Sequence, residues 1–136
     1  MEFVDTNILL YAYDSAAGEK HVLAAALVDR LWRERRGAIS VQVLQEFYVN
    51  ATRKAEKTID PMVAVDRLIS LSRWRVHSPL ADDVVAAATL SSRHQLSFWD
   101  AMIVRSAAEL RCGTLWTEDL NDGQIIEGVQ LTNPFT

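Results

Sequence analysis

Cysteine is almost missing from this chain. Its 136 residues hold one, Cys112, which excludes an internal disulfide framework and the thiolate set of a zinc site. A reduced, semi-buried thiol in an intracellular chain is expected. Long apolar runs are also missing. The longest, Val22–Val28, falls far short of the roughly 20 residues of a membrane-spanning helix. The N-terminus lacks the basic start and small-residue cleavage site of a secretory signal. A cytoplasmic location and no membrane partner follow as expectations. Positive charge is short too: 14 Lys and Arg stand against 18 Asp and Glu, for a formal net charge of −4. That argues against broad neutralisation of phosphates, yet leaves room for a basic rim around an acidic centre.

Several motifs are absent as well. No GxxxxGK[ST] or GxGxxG occurs, which excludes a P-loop and a dinucleotide fingerprint. No G-x-S-x-G elbow supports a serine hydrolase. An EF-hand loop begun at Asp119 fails because Gly123 stands where an oxygen ligand is required. His21, His77 and His94 show no metal-ligand spacing. A phosphoacceptor receiver domain gathers acids at strand ends but needs a late lysine, and Lys20, Lys54 and Lys57 are all early.

What is present is a chain 49% hydrophobic and 24% charged, ordinary for a globular protein and long enough for one domain spanning 1–136. Short β-like runs alternate with helical patterns. Strands are predicted at Glu2–Asp5, Ala38–Val41, Trp74–His77, Thr114–Thr117 and Val129–Thr132. Helices are predicted at Lys20–Arg36, at Val43–Lys54, from Asp60-Pro61 to about Leu71, at Ala81–Arg93 with Val84, Val85 and Ala88 inward, and from Ser97 to near Arg111. Strands separated by helices give βαβ units, a mostly parallel five-stranded sheet and helices on both faces. Ligands of such sheets bind beyond the carboxyl ends of the strands.

Acids collect at those ends. Asp5 follows Phe3-Val4, and Glu118 and Asp119 follow Thr114–Thr117. Glu46 and Asp100 lie near the starts of helices that follow. Each has a local explanation: a helix cap at Asp5, a solvated Glu46, a capping box for Ser97 and Asp100, a turn at Asp119 and Asp122. Together they imply more. Two like charges ~5 Å apart repel by roughly 3 kcal/mol at an effective dielectric of 20, so four acids in one crevice need protons or a cation. All-oxygen ligation points to Mg²⁺ or Mn²⁺, and such ions serve in-line hydrolysis of phosphodiesters.

The segments VDTNILLYAYD, ISVQVLQEF, LSFWDAMIV and TEDLNDGQIIEGVQLTNPF resemble the PIN-domain family, and within it the VapC-type ribonuclease toxins of bacterial toxin–antitoxin pairs. The resemblance runs the length of the chain. It implies an α/β/α sandwich and a metal-dependent endoribonuclease, a toxin restrained by a cognate antitoxin. Carried over by position, Asp5, Glu46, Asp100 and Asp119 form the catalytic and metal-holding set. Asp122 is a possible fifth ligand, and Asn7 and Thr117 orient carboxylates or water. RNA is the implied substrate. Arg33, Arg35, Arg36, Arg53, Lys54, Arg73, Arg75 and Arg93 are candidate phosphate contacts. The resemblance also implies a homodimer and an antitoxin seated on Lys20–Arg36 or Asp60–Leu71, with a basic side chain among the acids. A catalytically silent RNA- or protein-binding relative is the alternative, and a missing acid would mark it. None of the four is missing.

Overall fold

The computed structural model describes residues 1–136. Six strands and six helices follow one another as β1 (Glu2–Val4), α1 (Thr6–Tyr13), α2 (Glu19–Glu34), β2 (Gly37–Ser40), α3 (Val41–Val49), α4 (Pro61–Leu71), β3 (Arg75–His77), α5 (Ala81–His94), α6 (Phe98–Glu109), β4 (Thr114–Trp116), β5 (Ile125–Ile126) and β6 (Val129–Thr132). The sheet order is β3-β2-β1-β4-β6-β5, and every pairing but β5–β6 is parallel.

The chain leaves β1 toward β2 and β3, then returns to the other side of β1 for β4 and β6. Right-handed crossovers therefore place α1–α4 on one face and α5–α6 on the other. This is a three-layer α/β/α sandwich. Being covered on both faces, β1 and β2 are buried along their whole length. The direction of winding switches between β1 and β4, so the crevice at their carboxyl ends is the natural ligand site.

The strand count is six, not five. Ile125–Ile126 forms a hairpin with β6 through Glu127-Gly128, with φ of 52° and 79°. Two positive φ values in a two-residue loop define a type I′ turn, which Gly128 makes accessible. Helix α1 is the short helix that a cap at Asp5 calls for: after the polar Thr6 and Asn7 the apolar run from Ile8 coils at once and does not extend β1. Val41 begins α3 and does not extend β2, because Ser40 Oγ accepts from the Val43 N–H and caps the helix there. The segment read as a helix to Lys54 is α3 followed by a wide π turn at Asn50–Lys54. Asp60 caps α4 ahead of Pro61, as expected.

Helix α5 turns a different face inward from the one its apolar residues suggest. Asp83, Ala87 and Leu90 are buried, whereas Val85 is 67% exposed and Val84 also faces out. Asp83 explains the rotation. Its carboxylate accepts from the Leu80 N–H at 2.8 Å and from Arg105 Nε at 2.8 Å, with His77 Nε2 3.5 Å away. Arg105 also reaches Glu109 at 2.6 Å. Turned the other way, α5 would leave Arg105 and the Leu80 N–H without this partner, so the two valines stay outside.

A second buried acid sits at the opposite end of β1. Glu2 is 8% exposed. It accepts from both terminal nitrogens of Arg30 at 2.8 and 3.1 Å, from Arg36 Nε at 3.1 Å and from Trp116 Nε1 at 3.0 Å. Hydrogen bonding from Arg30 holds its carboxyl down at about 2. It thereby ties α2 to the first and fourth strands.

Candidate active site

Asp5 stands where β1 becomes α1. Its backbone N–H continues the sheet by donating to the Trp116 carbonyl at 3.0 Å. Its side chain caps α1, accepting from the Thr6 N–H at 2.7 Å, so the local explanation holds. The same carboxylate also accepts from Thr117 Oγ1 at 2.9 Å, across the switch point. Thr117 in turn accepts from the Asp119 N–H at 3.2 Å, and Asn7 Nδ2 donates to Asp119 Oδ2 at 3.0 Å. Glu46 projects from α3 and accepts from Gln42 Nε2 at 3.2 Å and Thr6 Oγ1 at 3.3 Å. Asp100 lies in the first turn of α6, which Ser97 caps.

These four acids feel one another. Burial pushes the Asp5 carboxyl up to about 7, against the hydrogen bonds from Thr6 and Thr117, and the charges of Asp119 and Glu46 push the same way. Glu46 is raised by burial and then by the charges of Asp100 and Asp119. Asp119 is raised by burial and by Glu118 and Asp100. No cationic side chain pairs with any of the four, since every ion pair in the fold uses other acids. Lys20, which faces this region, is taken by Glu118 at 2.8 Å and by the Tyr11 and Phe135 rings.

No three of the four acids bring ligand atoms within 4.8 Å of one another. The group that does is His77, Asp83 and Glu109. There the cation is already present as Arg105. The four acids at the crevice are the set without a cationic partner, and their donors are carboxylate oxygens, the kind that a hard ion takes.

The PIN domain model matches residues 3–121. The chain belongs to the PIN-domain family. Solved PIN-fold neighbours include a toxin–antitoxin complex from Klebsiella pneumoniae, 22% identical with a TM-score of 0.73, covering 98% of each chain. VapBC2 from Rickettsia felis, bound to a DNA fragment from its promoter, is 23% identical with a TM-score of 0.67 over 97% of each chain. VapC20 of Mycobacterium tuberculosis, a toxin that cleaves the sarcin–ricin loop, is 22% identical with a TM-score of 0.65, over 88% of this chain and 90% of its own. At these identities the likeness is one of fold. No curated protein matches the sequence.

Not every expected residue joins the PIN-domain crevice. Asp122 turns to the C-terminal tail, accepting from the Asn133 N–H at 2.9 Å and Thr136 Oγ1 at 3.3 Å. The basic residues scatter. Arg33 pairs with Asp29 and Arg36 with Glu2. Arg93 sits in the last turn of α5. Arg53 and Lys54 lie in the π turn, and Lys54 lines a cavity of about 610 Å³ that begins at Asn7 and runs between α1, the π turn and α4. Arg35, Arg73 and Arg75 gather at the far edge of the sheet. Two residues that hold Glu46 escaped sequence reading, Thr6 and Gln42. Gln42 had a signal, four residues before Glu46 on one helix; it also donates to the Trp99 carbonyl at 3.2 Å, tying α3 to α6.

Proposed function

We propose that the protein is a metal-dependent endoribonuclease of the VapC type, with Asp5, Glu46, Asp100 and Asp119 holding Mg²⁺ or Mn²⁺. The observation that carries this is the unpaired acid set: four carboxylates at one sheet edge, three of them raised, with no arginine or lysine bonded to any of them. A divalent ion bound there supplies an acidified water and offsets the negative charge that builds at phosphorus during in-line displacement.

The chain's own residues prepare the site. The Thr6 N–H and Thr117 hydroxyl fix the Asp5 oxygens. Asn7 fixes Asp119, and Gln42 with Thr6 fixes Glu46. Such preset orientation saves reorganisation when substrate arrives. Asp122 is left out of this set because its oxygens anchor the tail.

The reading extends to partners. An antitoxin is the proposed inhibitor, and the cavity beside Asn7, walled on one side by Val63 and Arg67 of α4, is its proposed seat. A homodimer is the proposed assembly. A cleavage assay on RNA, with and without Mn²⁺, tests the activity in wild type, Asp5→Asn and Asp100→Asn. Loss of metal-dependent cleavage in both folded variants is expected. Cleavage that persists unchanged in either one refutes the assignment.

A further inference from the structure

A second cavity, of about 270 Å³, opens at the amino ends of β1, β2 and β3, on the sheet edge opposite the acids. Arg35 of the α2 terminus, Arg73 and Arg75 at the start of β3, and the indoles of Trp32 and Trp74 wall it. No carboxylate lines it. The ion pairs of the fold use Lys20, Arg30, Arg33, Arg36, His77 and Arg105, so these three guanidinium groups have no acidic partner. The acid nearest in the fold's connectivity, Glu2, is already committed to Arg30 and Arg36. The closing carbonyls of α2 are satisfied as well, by the Arg35 and Arg36 N–H groups.

Trp74 supplies an independent observation. It is 8% exposed, and its Nε1 is the one buried side-chain nitrogen or oxygen in the fold without a hydrogen-bond partner. A shielded N–H is costly until an acceptor reaches it. The ring is held there by shape. It packs so closely on Gly37 that a Cβ at that position would fall 2.5 Å from it, and it meets Trp32 edge-on at 5.3 Å.

We propose that this cavity binds a phosphate group. Three arginines around one cavity, none tied to a carboxylate, can supply guanidinium donors to several anionic oxygens. A carboxylate, with one charge and two oxygens, leaves such a set over-provided, whereas a phosphomonoester carries a charge of about −1.5 to −2 and three acceptor oxygens. The ligand class is inorganic phosphate or a phosphomonoester, held on the edge remote from the acids. The site does not depend on the nuclease reading, and either stands if the other fails.

The test is a ¹H–¹⁵N correlation spectrum of the whole chain in EDTA. Its four tryptophans give four indole resonances, and Trp74→Phe assigns one by its loss. Inorganic phosphate, a nucleoside monophosphate and a short oligoribonucleotide without terminal phosphates are titrated in turn, with chloride at matched ionic strength as control. Saturable movement of the Trp74 indole resonance is expected, with affinity falling about tenfold or more in Arg73→Gln/Arg75→Gln, as loss of charge-assisted contacts requires. Movement with phosphate or the monophosphate names a free ligand. Movement with the oligonucleotide alone overturns the proposal, because a phosphodiester offers only one charge and two free oxygens. No movement with any of the three, an equal response to chloride, or unchanged affinity in the double variant overturns the proposal.

Discussion

Replacing Glu2 by Gln separates charge from shape at the amino end of β1. The glutamate is buried, and its two oxygens collect four donors from Arg30, Arg36 and Trp116. Its carboxyl is lowered from 4.5 to about 2, first by hydrogen bonding from Arg30. At 1.36 kcal/mol for each pK unit, a shift of that size caps the contribution at about 3 kcal/mol. Arg30 and Arg36 both reach solvent, the latter with half its side chain, so screening leaves about 1–2 kcal/mol. A depressed carboxyl stabilises the fold above its unfolded value and loses that contribution as pH falls through the folded value. The difference between wild type and Glu2→Gln should therefore be full at pH 7, shrink below pH 4.5 and vanish near pH 2. Urea denaturation of both proteins from pH 7 to pH 3 measures it, and thermal melts at pH 7 should differ by about 4–8 °C. Equal stability at pH 7, or a difference that does not change with pH, refutes the reasoning.

Other consequences of the geometry are open to test. Mn²⁺ at a hundred times its Kd should stabilise the protein by about 2.7 kcal/mol through mass action, and Asp119→Asn should blunt the gain in a thermal melt; a melting curve indifferent to metal counts against the four-acid site. In EDTA the sign of pH dependence from Asp5, Glu46 and Asp119 is opposite to that of Glu2. Their carboxyls are raised on folding, so stability should rise as pH falls from 8 toward 5, and Asp5→Asn should flatten that rise in urea titrations. Asp83→Asn removes the charge that Arg105 and the Leu80 N–H share, while Arg105, about a quarter exposed, keeps Glu109, and should cost about 1–2 kcal/mol, read from the shift in denaturation midpoint. Gly37→Ala drives a methyl into the Trp74 ring and should cost about 1–3 kcal/mol by overpacking, with a displaced indole resonance as the direct check.

The sequence carries the outline of the fold because local signals agree there. Apolar strands, the Asp60-Pro61 helix start and the spacing of Leu27 and Leu31 are all read within one turn or one pleat. The four acids are legible by the same logic, since strand ends and helix starts of parallel units share an edge. What stays hidden is set by distance or brevity. Helix α1 has only eight residues, and its apolar run carries no clear period. The two-residue strand β5 exists through its hairpin, and Glu-Gly is a weaker turn signal than Asn-Gly. The face of α5 depends on Arg105, 22 residues beyond Asp83, and apolar periodicity has no means of registering a buried ion pair. Thr6 meets Glu46 across 40 residues, and Trp116 meets Glu2 across 114.

Asp5 has one further consequence. The carboxylate that starts α1 is the one that faces the other acids, and its second oxygen is bonded from a threonine 112 residues away. The first turn of the chain and its last parallel crossover thus close on a single side chain. One oxygen of Asp5 starts α1 and the other is fixed only when β4 lies beside β1, so docking of the two strands is what completes the orientation of this carboxylate. A β4 wrongly registered against β1 would leave the cap of α1 in place but free the second Asp5 oxygen, and the carboxylate would lose the hold that aims it across the crevice.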